Sequence, residues 1–253
     1  MFNRIFDDTQ VAFKMKKNFH LYNAIFLFNI ITRKLLVTVF TNLTLLMLKM
    51  KLPVKWILKR TIYKHFCGGV DLIECQEIIS GMHSMNVHSI LDYSVEGQKN
   101  ELSFENSCKK KIDIINSVSK SDAIPFAVFK PSSIGRYDLF KLISSEKNLS
   151  IAEEEEWLRV VSRFHKICNH AMKMKIKILI DAEEFEVQKA IDDLAVQMMS
   201  KYNINNVIVY NTVQMYRWDR LGYLKELINK NSKSKYKLGF KLVRGAYMEK
   251  ERL

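Results

Sequence analysis

The chain has 253 residues, 48% hydrophobic and 26% charged, with only 8 glycines and 3 prolines, which excludes a mainly disordered, collagen-like or glycine-rich protein. Its formal net charge of +13 is concentrated at one end, because residues 1–66 carry 12 Lys and Arg against Asp7 and Asp8 whereas the remainder carries 28 against 25. Most of the chain therefore lacks the broad positive field and the motifs of a nucleic-acid-binding protein, and we expect no nucleic-acid partner.

Residues 1–84 are predicted to form a helical region. The chain does not open with a basic stretch followed by an apolar one, so we expect no secretory signal peptide. The apolar segment 35–48 contains three threonines and an asparagine and is shorter than the ~20 residues that cross a bilayer, which predicts a buried or surface-docked helix. Because basic residues flank it, peripheral contact with an anionic membrane remains an alternative.

The four cysteines show no C-x-x-C pairing, which predicts reduced thiols in a cytoplasmic protein. The group nearest to a metal cluster is His165, Cys168 and His170. On a helix, only the first two of these share a face, so we predict no metal site.

From about residue 85, short apolar runs rich in branched and aromatic residues alternate with amphipathic stretches. Such runs are typical of parallel strands that are buried on both faces. The five predicted strands cover residues 87–93, 124–130, 176–182, 207–214 and 238–244.

The intervals between these strands have helical periodicity, at about 102–119, 185–203 and 216–230. A further helix is predicted to begin after Ser150, because Glu153 stands three residues later as in a capping box. Repeated βαβ units form either a doubly wound sheet or a β/α barrel. The absence of the G-x-G-x-x-G and P-loop motifs favours the barrel. We therefore predict an α/β fold in which residues 85–253 form about five of the eight strands of a TIM-like (β/α)8 barrel.

In a β/α barrel the active site lies at the carboxyl ends of the strands. Lys130 is predicted to project into the barrel mouth, although a lysine that extends to water from a loop is the alternative. Asp181 either finds a partner in the site or caps a helix. Lys241 and Arg244, three residues apart, point to opposite faces if both lie on a strand. These residues indicate a site for an anionic ligand and do not name a reaction.

Five strings at these strand ends occur in the order seen in one known family. They are DYSVEG (92–97), FAVFKPSSIGR (126–136), LIDAEE (179–184), NTVQMYRWDRL (211–221) and KLVRGAYMEKER (241–252). Together they resemble the successive motifs of the proline dehydrogenase family. FCGG (66–69) and IFDDTQVAF (5–13) resemble its single-function branch.

The resemblance implies a barrel that binds FAD, oxidises L-proline to Δ1-pyrroline-5-carboxylate and passes the electrons to a membrane quinone. It implies substrate contacts from Lys130 and Tyr247 and catalytic roles for Asp181 and Lys241. Many members of the family have arginine at the position of Lys241. The flavin contacts implied by the resemblance are Ala182, Gln214, Arg244, Gly245 and Ala246.

One departure concerns the length of the chain. A full barrel takes roughly 250 residues, and the sequence stops just after the fifth motif, before the arginine pair with which the family holds the substrate carboxylate. We expect an incomplete form that binds FAD weakly by itself and does not turn over proline, unless a second chain supplies the remaining strands. A non-catalytic remnant and a basic, membrane-associated module remain alternatives. We expect the protein in the cytoplasm, with peripheral contact to the inner membrane as an alternative.

Overall fold

The computed structural model describes residues 7–92, 100–245 and 247–251. The chain divides into two compact units, Met1–Ile78 and Ile79–Leu253.

The described part of the first unit is helical. Its elements are Thr9–Ala12 (α1), Asn18–Ile31 (α2), Lys34–Lys49 (α3), Val54–Leu58 (α4), a π-helical turn at Lys59–Tyr63 and Lys64–Phe66 (α5). The helix predicted over 35–48 is confirmed. Of the two placements expected for it, buried or surface-docked, the buried one is not observed, because no residue of α3 is buried. Among the described residues of this unit, Leu27 and Val54 are the buried hydrophobic residues, and two such residues are too few to form a core that covers α3.

No single described helix has the length and apolar composition to cross a membrane. The helices α2 and α3 meet both criteria when taken together, with a bend of 99° between them.

The second unit is a five-stranded parallel sheet with the order β1-β2-β3-β4-β5. The strands are Ile90–Leu91 (β1), Phe126–Phe129 (β2), Lys177–Ile180 (β3), Val209–Gln214 (β4) and Phe240–Val243 (β5). Each strand lies inside one of the five predicted runs. Parallel strands that follow one another in chain order with helical crossovers form the wall of a β/α barrel, so the predicted α/β fold class is confirmed.

Helices accompany these strands, and one helix, Leu72–His83 (α6), precedes them. The others are Glu101–Val118 (α7), Tyr137–Ser144 (α8), Ile151–Lys173 (α9), Phe185–Tyr202 (α10), Arg220–Asn231 (α11) and Met248–Glu251 (α12), with a 3₁₀ turn at Pro131–Ser133.

Two helices differ from the sequence-based prediction. The helix expected from residue 216 begins at Arg220, because residues 215–219 form a turn in which the Arg217 side chain bonds Asp219. The short helix α8 was not predicted. It lies between β2 and α9 in chain order, and its residues Leu139 and Phe140 are buried.

The helix α9 begins with the predicted capping box, because the Ser150 side chain accepts from the Glu153 amide and Glu153 accepts from the Ser150 amide. Its buried face includes Arg163, which is fully buried. The Arg163 guanidinium donates to Glu105 Oε1 at 2.8 Å and to the Ile134 carbonyl at 2.9 Å. Arg163 therefore fastens α9 to α7 and to the loop that follows β2.

Asn203, fully buried after α10, fixes the start of β4. Its Oδ1 accepts from the amides of Ile208 at 3.0 Å and Val209 at 2.8 Å. Its Nδ2 donates to the carbonyls of Val209 at 2.8 Å and Lys237 at 3.0 Å. These four hydrogen bonds are all made to backbone groups, so they fix the position of the start of β4 relative to the segment before β5.

Candidate active site

The strand register brings four polar residues into one row across the sheet. Phe129 pairs with Ile180, Ile180 with Asn211, and Thr212 with Lys241. Lys130 follows Phe129, Asp181 follows Ile180, and Thr212 follows Asn211 in the chain. The register therefore places four residues side by side at the carboxyl edge of the sheet: Lys130, Asp181, Thr212 and Lys241. Because successive residues of a strand alternate between faces, all four side chains project from the same face.

These residues line a cavity of about 300 Å³ at the carboxyl ends of β2 to β5. Cavities of this size accept small organic ligands. Seven of the nine residues predicted for the site line it. They are Lys130, Asp181, Ala182, Gln214, Lys241, Gly245 and Tyr247.

The two remaining predicted residues do not join this set. Arg244 follows β5, is exposed and does not contribute to the lining. The expectation that Lys241 and Arg244 point to opposite faces applied to two residues on one strand, and β5 ends at Val243. Ala246 lies outside the described residues, as does most of the segment 92–97.

Asp181 and Lys241 form an ion pair across the cavity floor. The Lys241 ammonium donates to Asp181 Oδ1 at 2.6 Å, and the two side chains are 29% and 24% exposed. The Asp181 amide also donates to the Phe129 carbonyl at 3.0 Å, which continues the parallel pairing beyond β3. The carboxylate thus has a partner in the site, which was one of the two roles expected for Asp181.

Lys130 is placed by a turn that Glu183 stabilises. The Ser132 amide, in the 3₁₀ turn after Lys130, donates to Glu183 Oε1 at 2.7 Å. The Ser133 hydroxyl donates to the Lys130 carbonyl at 2.6 Å. Burial raises the pKa of the Glu183 carboxyl, which is 5% exposed, while the Ser132 donor and nearby Lys130 oppose that rise.

Strand β4 contributes two polar side chains to the cavity. Gln214 is 2% exposed, and its Nε2 donates to the Glu183 carbonyl at 2.7 Å. Thr212, two residues earlier on the same face, is 1% exposed. Its hydroxyl has no hydrogen-bond partner within the described part of the chain. An unsatisfied buried hydroxyl beside a cavity is a group that a ligand can satisfy.

After β5 the backbone approaches the ring of Tyr216. Gly245 has a φ of 117°, a conformation that residues with a Cβ rarely adopt. A Cβ at this position would overlap the Tyr216 ring. Only glycine fits here, and its backbone forms part of the cavity wall next to Tyr247.

Two polar residues of the site, Thr212 and Glu183, were given no role in the sequence analysis. Thr212 was predictable, since it shares the two-residue period of Gln214 on β4. The role of Glu183 was not predictable, because its contact with the Ser132 amide joins the ends of two strands that are distant in sequence. The carboxyl-end position of both strands was the only available signal.

The residues considered as metal ligands have other roles. His165 Nδ1 bonds the Tyr202 hydroxyl at 2.9 Å, His170 Nε2 bonds Asn116 at 2.6 Å, and Cys168 is buried. Within residues 7–92, 100–245 and 247–251, no group of three potential ligands has the geometry for a metal ion. The four cysteines are free.

Comparison with known proteins identifies the family. The chain is 31% identical over 187 residues to the carbapenem antibiotics biosynthesis protein CarD of Pectobacterium carotovorum. This alignment covers 74% of this chain and 50% of that protein. It is 28% identical over 235 residues to proline dehydrogenase 2, mitochondrial, of Arabidopsis thaliana, over 77% of this chain and 49% of that protein. The chain thus spans about half the length of these curated relatives.

The fold matches part of a larger solved protein. Proline utilization A (PutA) from Bdellovibrio bacteriovorus, in a crystal structure of the enzyme inactivated by N-propargylglycine, superposes with a TM-score of 0.63 at 14% identity. The match covers 78% of this chain and 22% of that one. At this identity the likeness shows the fold alone.

Residues 75–253, which include all five strands and the cavity, match the family model described as proline dehydrogenase. The strand-end motifs and the order of the sheet agree with that match. The chain belongs to the proline dehydrogenase family.

Proposed function

We propose that the cavity binds L-proline next to FAD and that the chain acts in the oxidation of proline to Δ1-pyrroline-5-carboxylate. The observation that supports this most is the row of Lys130, Asp181, Thr212 and Lys241 at the carboxyl edge of the sheet. Two cations and one carboxylate in such a row match an amino acid, which carries both charges.

The cavity residues fit a flavin. Gln214 offers an amide, Thr212 offers a hydroxyl without a partner among the described residues, and Gly245 allows the backbone to approach a flat ring closely. Ala182, 7% exposed, adds a small apolar surface. When bound, FAD supplies the acceptor for the hydride that leaves the carbon next to the proline nitrogen.

The charged residues then have distinct tasks. Lys130, held by the turn that Glu183 stabilises, attracts the substrate carboxylate. With FAD bound, Lys241 would supply a fixed positive charge that stabilises negative charge on the acceptor, and Asp181 fixes the position of that ammonium at 2.6 Å. Holding the two reactants in one orientation lowers the barrier because the entropy of bringing them together is lost on binding.

A flavin titration of the purified chain tests this proposal. We expect weak but saturable FAD binding and, in a single anaerobic reduction without turnover, loss of the visible flavin absorbance when L-proline is added. The variant Lys130→Met should keep the flavin affinity but require much more proline for the same bleaching. Lys177→Met is the matched control, because Lys177 begins β3 and does not line the cavity. A chain that binds no flavin, or bleaching that Lys130→Met leaves unchanged, would contradict the proposal.

Electrons taken from proline need an acceptor, and we propose a quinone at a membrane that the first unit contacts. From Thr9 to Val70 the chain has 11 Lys and Arg and no Asp or Glu. Large apolar side chains on α2 and α3 are exposed, among them Phe19 at 77% and Leu35 at 83%. Apolar residues between cations suit the interface of an anionic bilayer, where each cation contributes ~1 kcal/mol.

Vesicle sedimentation tests the membrane contact. The full chain should bind vesicles that contain phosphatidylglycerol, and the binding should weaken as salt is added because the charges are screened. Leu35→Glu should reduce it, whereas Leu158→Glu, at an exposed leucine of α9, should not. Equal binding to uncharged phosphatidylcholine vesicles, or apolar faces covered by self-association without lipid, would contradict this proposal.

A further inference from the structure

The amide of Gln214 is held at both of its ends. Its Nε2 donates to the Glu183 carbonyl at 2.7 Å, and its Oε1 accepts from Arg217 Nη1 at 3.4 Å. These two bonds decide which side of the amide is presented to the cavity.

The first of these bonds is connected to a carboxylate on α10. The Glu183 amide donates to Gln188 Oε1 at 2.9 Å. Gln188 Nε2 in turn donates to Asp192 Oδ1 at 2.8 Å. Gln188 therefore links Asp192 to Glu183, the residue whose carbonyl holds Gln214.

The second bond leads to the same carboxylate by another path. Arg217 binds Asp219 with two bonds, at 3.0 Å and 2.7 Å. Asp219 also accepts from Arg220 Nη2, and Arg220 Nη1 donates to Asp192 Oδ2 at 2.6 Å. The hydrogen bonds form a closed circuit that passes through Gln214 and Asp192.

Most of the circuit is buried, whereas Arg217 and Asp219 are partly exposed. Asp192 is 4% exposed, Gln188 1% and Arg220 8%. Both carboxylate oxygens of Asp192 and both terminal nitrogens of Arg220 are hydrogen-bonded, whereas Arg220 Nε has no partner among the described residues. Rearrangement of the paired atoms would leave a charge unpaired in the protein interior, so the pairing favours one geometry. Asp192 itself does not line the cavity.

We propose that Asp192 is a positioning residue, which through Gln188 on one side and Arg220 on the other orients the Gln214 amide toward the cavity. The inference rests on the proposed function for what Gln214 contacts, but the geometry it explains belongs to the chain without ligand. It gives a role in the site to three buried residues that lie behind the sheet.

The chain contains a matched control for this proposal. Asn211 Nδ2 donates to the same Asp192 Oδ1, at 2.9 Å, and Asn211 is fully buried. Gln188→Met and Asn211→Leu each remove one amide donor from that oxygen. Only Gln188 lies on the path to Gln214.

The test is hydrogen exchange at the side-chain amide of Gln214, measured by NMR on the flavin-free chain and assigned from the signal that Gln214→Met lacks. We expect exchange about tenfold faster in Asp192→Asn and in Gln188→Met, the loss of one net hydrogen bond. Asn211→Leu should remain close to wild type. If Asp192→Asn does not fold, Gln188→Met against Asn211→Leu decides. Unchanged exchange in Gln188→Met, or an equal change in both variants, would overturn the proposal.

A second measurement separates this inference from the proposed function. In the flavin-loaded chain, Gln188→Met should shift the visible flavin band, and the shift should vanish when Gln214→Met is already present. A shift that persists without Gln214 would count against a positioning role. A wild-type chain that binds no flavin would overturn the proposed function, whereas the exchange result would still decide the role of Asp192.

Discussion

The ammonium of Lys241 lies 2.6 Å from Asp181 Oδ1 although the strand β4 separates their two strands. The bond passes over Thr212, which pairs with Lys241 in the register. Asp181 is thereby held in the centre of the row, between two lysines.

Replacement of Lys241 should affect chemistry far more than stability. Because both partners are partly exposed, Lys241→Met should lower the free energy of unfolding by less than about 1 kcal/mol. Under the proposed function, loss of this fixed charge should slow flavin reduction by proline on the order of 10²-fold. Urea denaturation and anaerobic stopped-flow absorbance measure the two effects. Lys241→Arg should retain most of the rate, and an equal loss in Lys177→Met would contradict this role.

Replacement of Arg163 should affect stability. Its guanidinium is fully buried and bonds Glu105 and the Ile134 carbonyl, so Arg163→Met should cost about 2–4 kcal/mol. Arg159, 48% exposed, pairs with the same helix through Glu101. Arg159→Met should therefore cost less than about 1 kcal/mol. Denaturant unfolding compares the two variants, and similar losses in both would show that burial of Arg163 does not set its contribution.

The buried Lys111 should make stability depend on pH. Burial lowers the pKa of Lys111 to about 8 in the folded chain, against 10.5 ordinarily, with Lys130 also lowering it and Asp92 opposing. The folded chain thus binds this proton more weakly than the unfolded chain. Stability from this group should rise as the pH increases from about 8 to about 10.5, by up to about 3 kcal/mol.

Comparison with a variant isolates the contribution of Lys111 from other titrating groups. Lys111→Met should be more stable than wild type near neutral pH, with a difference that shrinks toward pH 10.5. Lys109→Met, at an exposed position of α7, should show a pH profile like that of wild type. Chemical denaturation at several pH values measures these differences. A constant difference across the range would refute the expectation.

Gly245 should not tolerate a side chain. Gly245→Ala introduces a Cβ that overlaps the Tyr216 ring, at a φ of 117° that disfavours alanine, so a loss of about 1–3 kcal/mol is expected together with weaker flavin binding. Gly222, inside α11, has open space around its Cβ position. Gly222→Ala should stabilise the chain by about 0.5–1 kcal/mol. Thermal unfolding should move in opposite directions for the two variants.

Much of the fold followed from local patterns. The five strands and the helices α7, α9 and α10 were predictable because apolar periodicity and the Ser150 cap act within a few residues. The placement of Lys130, Asp181 and Gln214 at one edge followed from the parallel order of the strands. The amphipathic pattern did not predict that α11 begins only at Arg220, since the turn before it depends on the Arg217 and Asp219 side chains.

Contacts between distant residues were decided by the tertiary structure. The sequence by itself determined that polar side chains end the strands, but the register determined that Lys241 reaches Asp181 over Thr212. The circuit from Gln214 to Asp192 likewise joins residues of β4, α10 and α11 whose spacing has no common period. Periodicity reflects forces along one element, whereas pairing of buried charges depends on how separate elements pack.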